Sequence, residues 1–166
     1  MEDIARIQVS GPKFLEMYMV RGPFLTATQA KYSLPYCAAS ASLAPEVGQQ
    51  CFEDTRLQDR LLAALSEVVE FTVDDDLDRS FPGSYSVNVV IAAHSGRVLA
   101  SHQFPKWSAD RPPSFDELAT KFTRVMQEKC AGSIAERWIE YFQRGLRADA
   151  SMDGFFGLMR ASVLRS

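Results

Sequence analysis

The chain has 166 residues, 46% of them hydrophobic, and a formal net charge of −3. That is enough for one compact domain with a real core and too little for two full ones. Charges of both signs are interspersed, so no basic stripe points to nucleic acid or to a membrane surface. Cys37, Cys51 and Cys130 are widely spaced, with only His94 and His102 to assist, which argues against a zinc site, an iron–sulfur cluster or a disulfide framework. No apolar run approaches membrane-spanning length, and Met1-Glu2-Asp3-Ile4-Ala5-Arg6 has the wrong charge for a signal peptide. The expectation is a soluble, cytoplasmic, unprocessed chain.

Taken in order, Ile4 to Val9 reads as a strand ended by Gly11-Pro12, with a second turn at Gly22-Pro23. Phe14 to Val20, rich in Met and aromatic residues, has no clear period and is left unassigned. The run Ala30-Lys31-Tyr32-Ser33-Leu34-Pro35-Tyr36-Cys37-Ala38-Ala39-Ser40-Ala41-Ser42-Leu43 then opens polar and turns small and apolar, the pattern of a buried helix with a polar mouth. Ser33 is its natural N-cap, and Pro35 falls where no backbone donor is needed. Lys31, Ser33 and Tyr36 gathered at free backbone N–H groups would suit a carboxylate or phosphate. The competing reading is a capped core helix with Lys31 in solvent. Pro45 stops it.

Asp54 can cap a helix with Leu57, Leu61, Leu62, Leu65 and Val68 on one stripe, and Val69, Phe71 and Val73 then alternate as a strand. Asp74, Asp75, Asp76 and Asp78 lack the spacing of a calcium loop and read as a solvated connection. After Phe81-Pro82-Gly83, two strands joined at Ser95-Gly96 make a hairpin. A two-residue loop would set Ala93 against Val98 and Val89 against His102, placing His102 on the apolar face as a packed core histidine. His94 is expected to be exposed.

Pro105 to Pro113, with Lys106, Trp107 and Arg111, is a loop that could border an acidic ligand or simply fold its indole over the chain. Ser114 with Glu117, and Ser133 with Glu136, are capping boxes that open two helices, separated at Gly132. Phe115, Leu118, Ala119, Phe122, Val125 and Met126 line the first; Ile134, Trp138, Tyr141 and Phe142 line the second. Lys121 lies off its stripe. A last helix, capped by Asp149 or Ser151, presents Met152, Phe155, Phe156, Met159 and Val163. So much aromatic and Met surface exceeds what a small sheet can cover and suggests a partner outside the chain. The expected class is α+β: an antiparallel sheet of about four strands with helices packed on it, and a C-terminal helical segment. Residues 1–110 would form the α+β part and 111–166 the C-terminal helices, packed as one domain.

The residues alone assemble no Ser–His–Asp set, phosphate loop or metal cluster. Two runs, however, resemble a known family. Ala30-Lys31-Tyr32-Ser33-Leu34-Pro35-Tyr36 looks like the signature that opens the C-terminal part of MmgE/PrpD enzymes, and Pro112-Pro113-Ser114-Phe115-Asp116-Glu117-Leu118 with Lys121-Phe122 resembles a second run at the same place in chain order. The resemblance spans about Ile4 to the last helix. It implies a lid-like α+β part whose active site is shared with a helical domain, in cis or in trans. It also implies cofactor-free and metal-free proton abstraction next to a carboxylate of a small polycarboxylate, followed by dehydration, decarboxylation or epimerisation. On that resemblance Tyr36 is the catalytic candidate, as proton relay or hydrogen-bond donor, and Lys31 and Ser33 are substrate-binding. A homo-oligomer is implied, and the chain by itself is expected to be inactive. A stand-alone, non-catalytic carboxylate-binding or protein-interaction domain is the alternative.

Overall fold

The computed structural model describes residues 4–44, 47–108, 111–127, 130, 132–145 and 151–163. The expected stop at Pro45 and the Asp149 cap lie outside the described residues. By its internal contacts the chain divides into two compact units, Met1–Pro105 and Lys106–Ser166.

The first unit is built on a four-stranded sheet of β1 (Ile4–Gly11), β2 (Val69–Val73), β3 (Val87–Ala93) and β4 (Val98–Gln103), in the order β2-β1-β3-β4. Its pairings are antiparallel except one. β1 and β2 run parallel, Ile7 opposite Val69 and Val9 opposite Phe71, so the sheet is mixed rather than wholly antiparallel. The reason is the connection. Between β1 and β2 the chain passes through α1 (Ala27–Lys31), α2 (Leu34–Leu43), α3 (Asp54–Leu57) and α4 (Arg60–Glu67), and a crossover that long returns the strand in the same direction. Period-two alternation selects the face: Ile7, Val9 and Val69 are buried with Leu34 and Ala38 of α2 against them, while Arg6 and Glu70 form an ion pair on the other side. Ala30, Tyr36, Ala39, Cys51, Phe52, Leu62 and Leu65 make a second buried cluster among the helices.

Several local assignments shift. The unassigned Met- and aromatic-rich stretch is a 3-10 helix over Lys13–Tyr18. The helix expected from Asp54 is broken in two. Asp59, not Asp54, caps the longer piece: its Oδ1 accepts from Leu61 N at 2.9 Å and Leu62 N at 3.3 Å, while Oδ2 holds Arg56 at 2.7 Å. The aspartate run is no loop either; Asp74 Oδ1 accepts from Asp76 N and Leu77 N and starts α5 (Asp75–Ser80), where carboxylates in the first turn suit the helix dipole.

The hairpin slips by one residue from the expected register. Gly96 adopts φ +86° and its N–H bonds Ala93 O at 3.0 Å, while Ala93 N bonds Arg97 O at 2.9 Å, so His94, Ser95 and Gly96 form a three-residue loop with a glycine bulge. Val89 therefore faces Ser101, and His102 faces Asn88. A one-residue slip moves every side chain of β4 to the opposite face. His102 is accordingly exposed, with Nδ1 2.6 Å from Asn88 Oδ1, instead of packed in the core. His94 is exposed, as expected.

The second unit holds α6 (Phe115–Gln127), α7 (Gly132–Gly145) and α8 (Met152–Val163). The Ser114–Glu117 capping box is closed, Ser114 N donating to Glu117 Oε2 at 2.9 Å and Glu117 N to Ser114 Oγ at 3.2 Å. The Ser114 bonds hold the Glu117 carboxyl below its ordinary pKa. Gly132 opens α7 rather than closing α6, so Ser133 lies inside the first turn. Ser151 caps α8 through Gly154 N at 3.1 Å. Trp138 is the hub: it stacks on Phe142, meets Phe155 edge-on, and donates from Nε1 to Ser162 Oγ at 2.9 Å. Lys121, off the apolar stripe of α6, has its ammonium 4.6 Å from the centre of the Trp107 ring.

Candidate functional site at the mouth of the second helix

Ser33 caps α2 as its position demands, accepting from Tyr36 N at 3.1 Å. Its own proton is committed elsewhere, to Val20 O at 2.6 Å, and the residue is 1% exposed. Val20 is thereby tied to the start of α2. Tyr36 lies in the core at 3% exposure, with its ring edge-on to Phe24 and tilted against Phe52. Its hydroxyl donates to Cys51 O at 2.7 Å. Burial raises the phenol pKa above the ordinary value, partly offset by the Arg56 guanidinium. Lys31 is exposed, bonding Gln49 Oε1 at 3.2 Å with its ammonium 5.4 Å from the centre of the Phe52 ring. Ser33 and Tyr36 are thus brought together through the backbone, with both hydroxyls already paired, and Lys31 stands at the surface.

The cavity that Tyr36 borders has a volume of about 750 Å³ and also exposes Phe24, Asp54, Asp59, Arg60 and Glu67. Two of its three carboxylates are ion-paired to arginines beyond the lining, Asp59 with Arg56 and Glu67 with Arg21. The solvent-facing phenol at this end is Tyr32, which is 62% exposed and stacks on Tyr18 with ring centres 6.2 Å apart. Sequence reasoning passed over both: Tyr18 sat in an aperiodic stretch, and Tyr32 was only a neighbour within the motif. It also missed Arg21, which donates to Ser66 O and Val69 O at 2.5 and 2.8 Å and so satisfies carbonyls where α4 ends and β2 begins.

Residues 1–144 match the MmgE/PrpD C-terminal domain. The chain belongs to the MmgE/PrpD family. Both runs that carried the resemblance lie within the match, and the MmgE/PrpD domain so defined ends before α8. No curated protein matches the chain. In this MmgE/PrpD domain, no group of three or more His, Cys, Asp or Glu side chains among the described residues could hold a metal ion. No helix among the described residues is long and apolar enough to cross a membrane.

Proposed function

We propose that this chain is the C-terminal portion of an MmgE/PrpD-type lyase or isomerase that acts on small polycarboxylates, removing a proton next to a carboxylate and then eliminating water or carbon dioxide or returning the proton to another face. The family match over residues 1–144 carries the reading. In it the α2 mouth is one wall of the substrate cleft, and a helical domain supplied in cis or in trans is the other. The isolated mouth supports this incompleteness: Lys31 is a cation at its surface, and Tyr36 can act as relay or donor only by exchanging its bond to Cys51 O for one to substrate. The chain works in the cytoplasm as part of a homo-oligomer. The test is to supply the helical domain with the chain and follow deuterium exchange next to a substrate carboxylate in heavy water. Exchange that needs both pieces is the expected result; exchange by the helical piece alone would remove this chain from the chemistry.

A second reading, a non-catalytic interaction domain, is favoured by one observation. On α6 and α7 an apolar groove of about 440 Å³, lined by Phe115, Leu118, Phe122, Val125, Ile139 and Phe142, stands open. Turnover on reconstitution decides against it, and tight association without turnover decides for it.

A further inference from the structure

Tyr18 and Tyr32 are set side by side near one hydrogen bond that joins their two segments. Tyr18 ends the 3-10 helix two residues before Val20, Tyr32 caps α1 one residue before Ser33, and the bond from Ser33 Oγ to Val20 O at 2.6 Å fastens the two segments together. The phenol rings lie nearly parallel, at 18°. Tyr18 is braced from behind by Phe14, edge-on at 6.3 Å, and Phe14 stacks on Phe81 at 4.4 Å. Among the described residues the Tyr18 and Tyr32 hydroxyls, like that of Tyr85, have no hydrogen-bond partner, whereas the Tyr36 and Tyr141 hydroxyls are both donated to carbonyls.

We infer that the stacked Tyr18–Tyr32 pair is the carboxylate-binding lip of the α2 mouth, donating two phenolic hydrogen bonds to a small di- or tricarboxylate. This assignment rests on the proposed function and adds the residues that first hold the substrate. A phenolic O–H is a neutral donor, so it needs no charge of its own to be desolvated. Bonds from O–H to a carboxylate are short and stronger than neutral ones. Aromatic packing has already fixed the rings, so less rotamer freedom is lost on binding than for two lysines.

The chain has five tyrosines, so 3-fluorotyrosine labelling of the whole 166-residue chain resolves the question by fluorine NMR during a citrate titration at constant ionic strength. The Tyr18 and Tyr32 resonances are expected to move together with one Kd, and acetate is expected to bind far more weakly than citrate. Tyr18→Phe and Tyr32→Phe, which keep the rings and the stack, should each weaken citrate binding about tenfold. Tyr141→Phe should leave Kd unchanged. If citrate binds but moves the Tyr36 resonance alone, or binds both phenylalanine variants as tightly as the parent, the lip is overturned and the proposed function stands. If citrate and acetate bind equally, the two-donor arrangement is overturned. If no tyrosine responds and calorimetry detects no citrate binding, either to the chain alone or with the helical domain added, the reading of this mouth as a polycarboxylate site fails, and the lip fails with it.

Discussion

Ser33 does two jobs with one hydroxyl, accepting from Tyr36 N and donating to Val20 O. Ser33→Ala removes a cap and the hydroxyl that bonds the Val20 carbonyl, so it should lower stability by about 1–2 kcal/mol in chemical denaturation. Tyr36→Phe keeps the ring against Phe24 and Phe52 and loses only the bond to Cys51 O, an expected loss of about 1 kcal/mol. That substitution also changes the pH profile. The folded-state phenol has a raised pKa, so the folded chain holds its proton more tightly than the unfolded chain. Its contribution is complete below the unfolded pKa, about 10, and is lost as pH rises through the folded value. Denaturation midpoints measured up the alkaline range should fall less steeply in Tyr36→Phe than in the parent. The sequence showed the cap at Ser33 because capping is local. It could not show which groups the Ser33 and Tyr36 hydroxyls would meet, since Val20 and Cys51 lie 13 and 15 residues away.

At the scale of elements, caps and turns decide boundaries that apolar periodicity only brackets. Asp59→Ala removes the acceptor for two amides at the start of α4 and the partner of Arg56, and should cost about 1–2 kcal/mol, whereas Asp54→Ala should cost far less. Gly96→Ala forces a side chain into positive φ and should destabilise the hairpin by about 1–2 kcal/mol, visible as faster amide exchange along β3 and β4. At α6, Glu117 is an acid with a lowered folded pKa, so its capping contribution is present above the unfolded value and is lost as pH falls through the folded one. Helicity followed by circular dichroism through the acid range should lose this step in Glu117→Gln. The capping boxes and the hairpin were legible as residue spacings. The hairpin register was not, because Ser95-Gly96 fits either a two-residue loop or a three-residue loop with a glycine bulge, and only the pairing of β3 with β4 selects between them.

For the whole molecule, the exposed apolar faces matter most. Met152, Phe156, Met159 and Val163 on α8 are each between 47% and 72% exposed, and Leu118, Val125 and Phe142 on α6 and α7 between 44% and 49%. Such stripes at helical spacing are what the sequence led us to expect of helices that pack on a partner. Analytical ultracentrifugation of the isolated chain should show self-association that falls when Phe156→Glu and Met159→Glu are combined. Addition of the helical domain should suppress it in the parent.

The sequence by itself determined the family, through the run Ala30–Tyr36 and the run Pro112–Phe122, and the α+β class, because helix caps and residue periods are properties of a few neighbouring positions. Tertiary structure decided the parallel pairing of β1 with β2, the outward turn of His102, the burial of Tyr36 and the stacking of Tyr18 on Tyr32. Each of these depends on groups far apart in the chain meeting across strands or helices, and no local pattern of residues encodes which of several such meetings buries the most apolar surface while pairing every polar group.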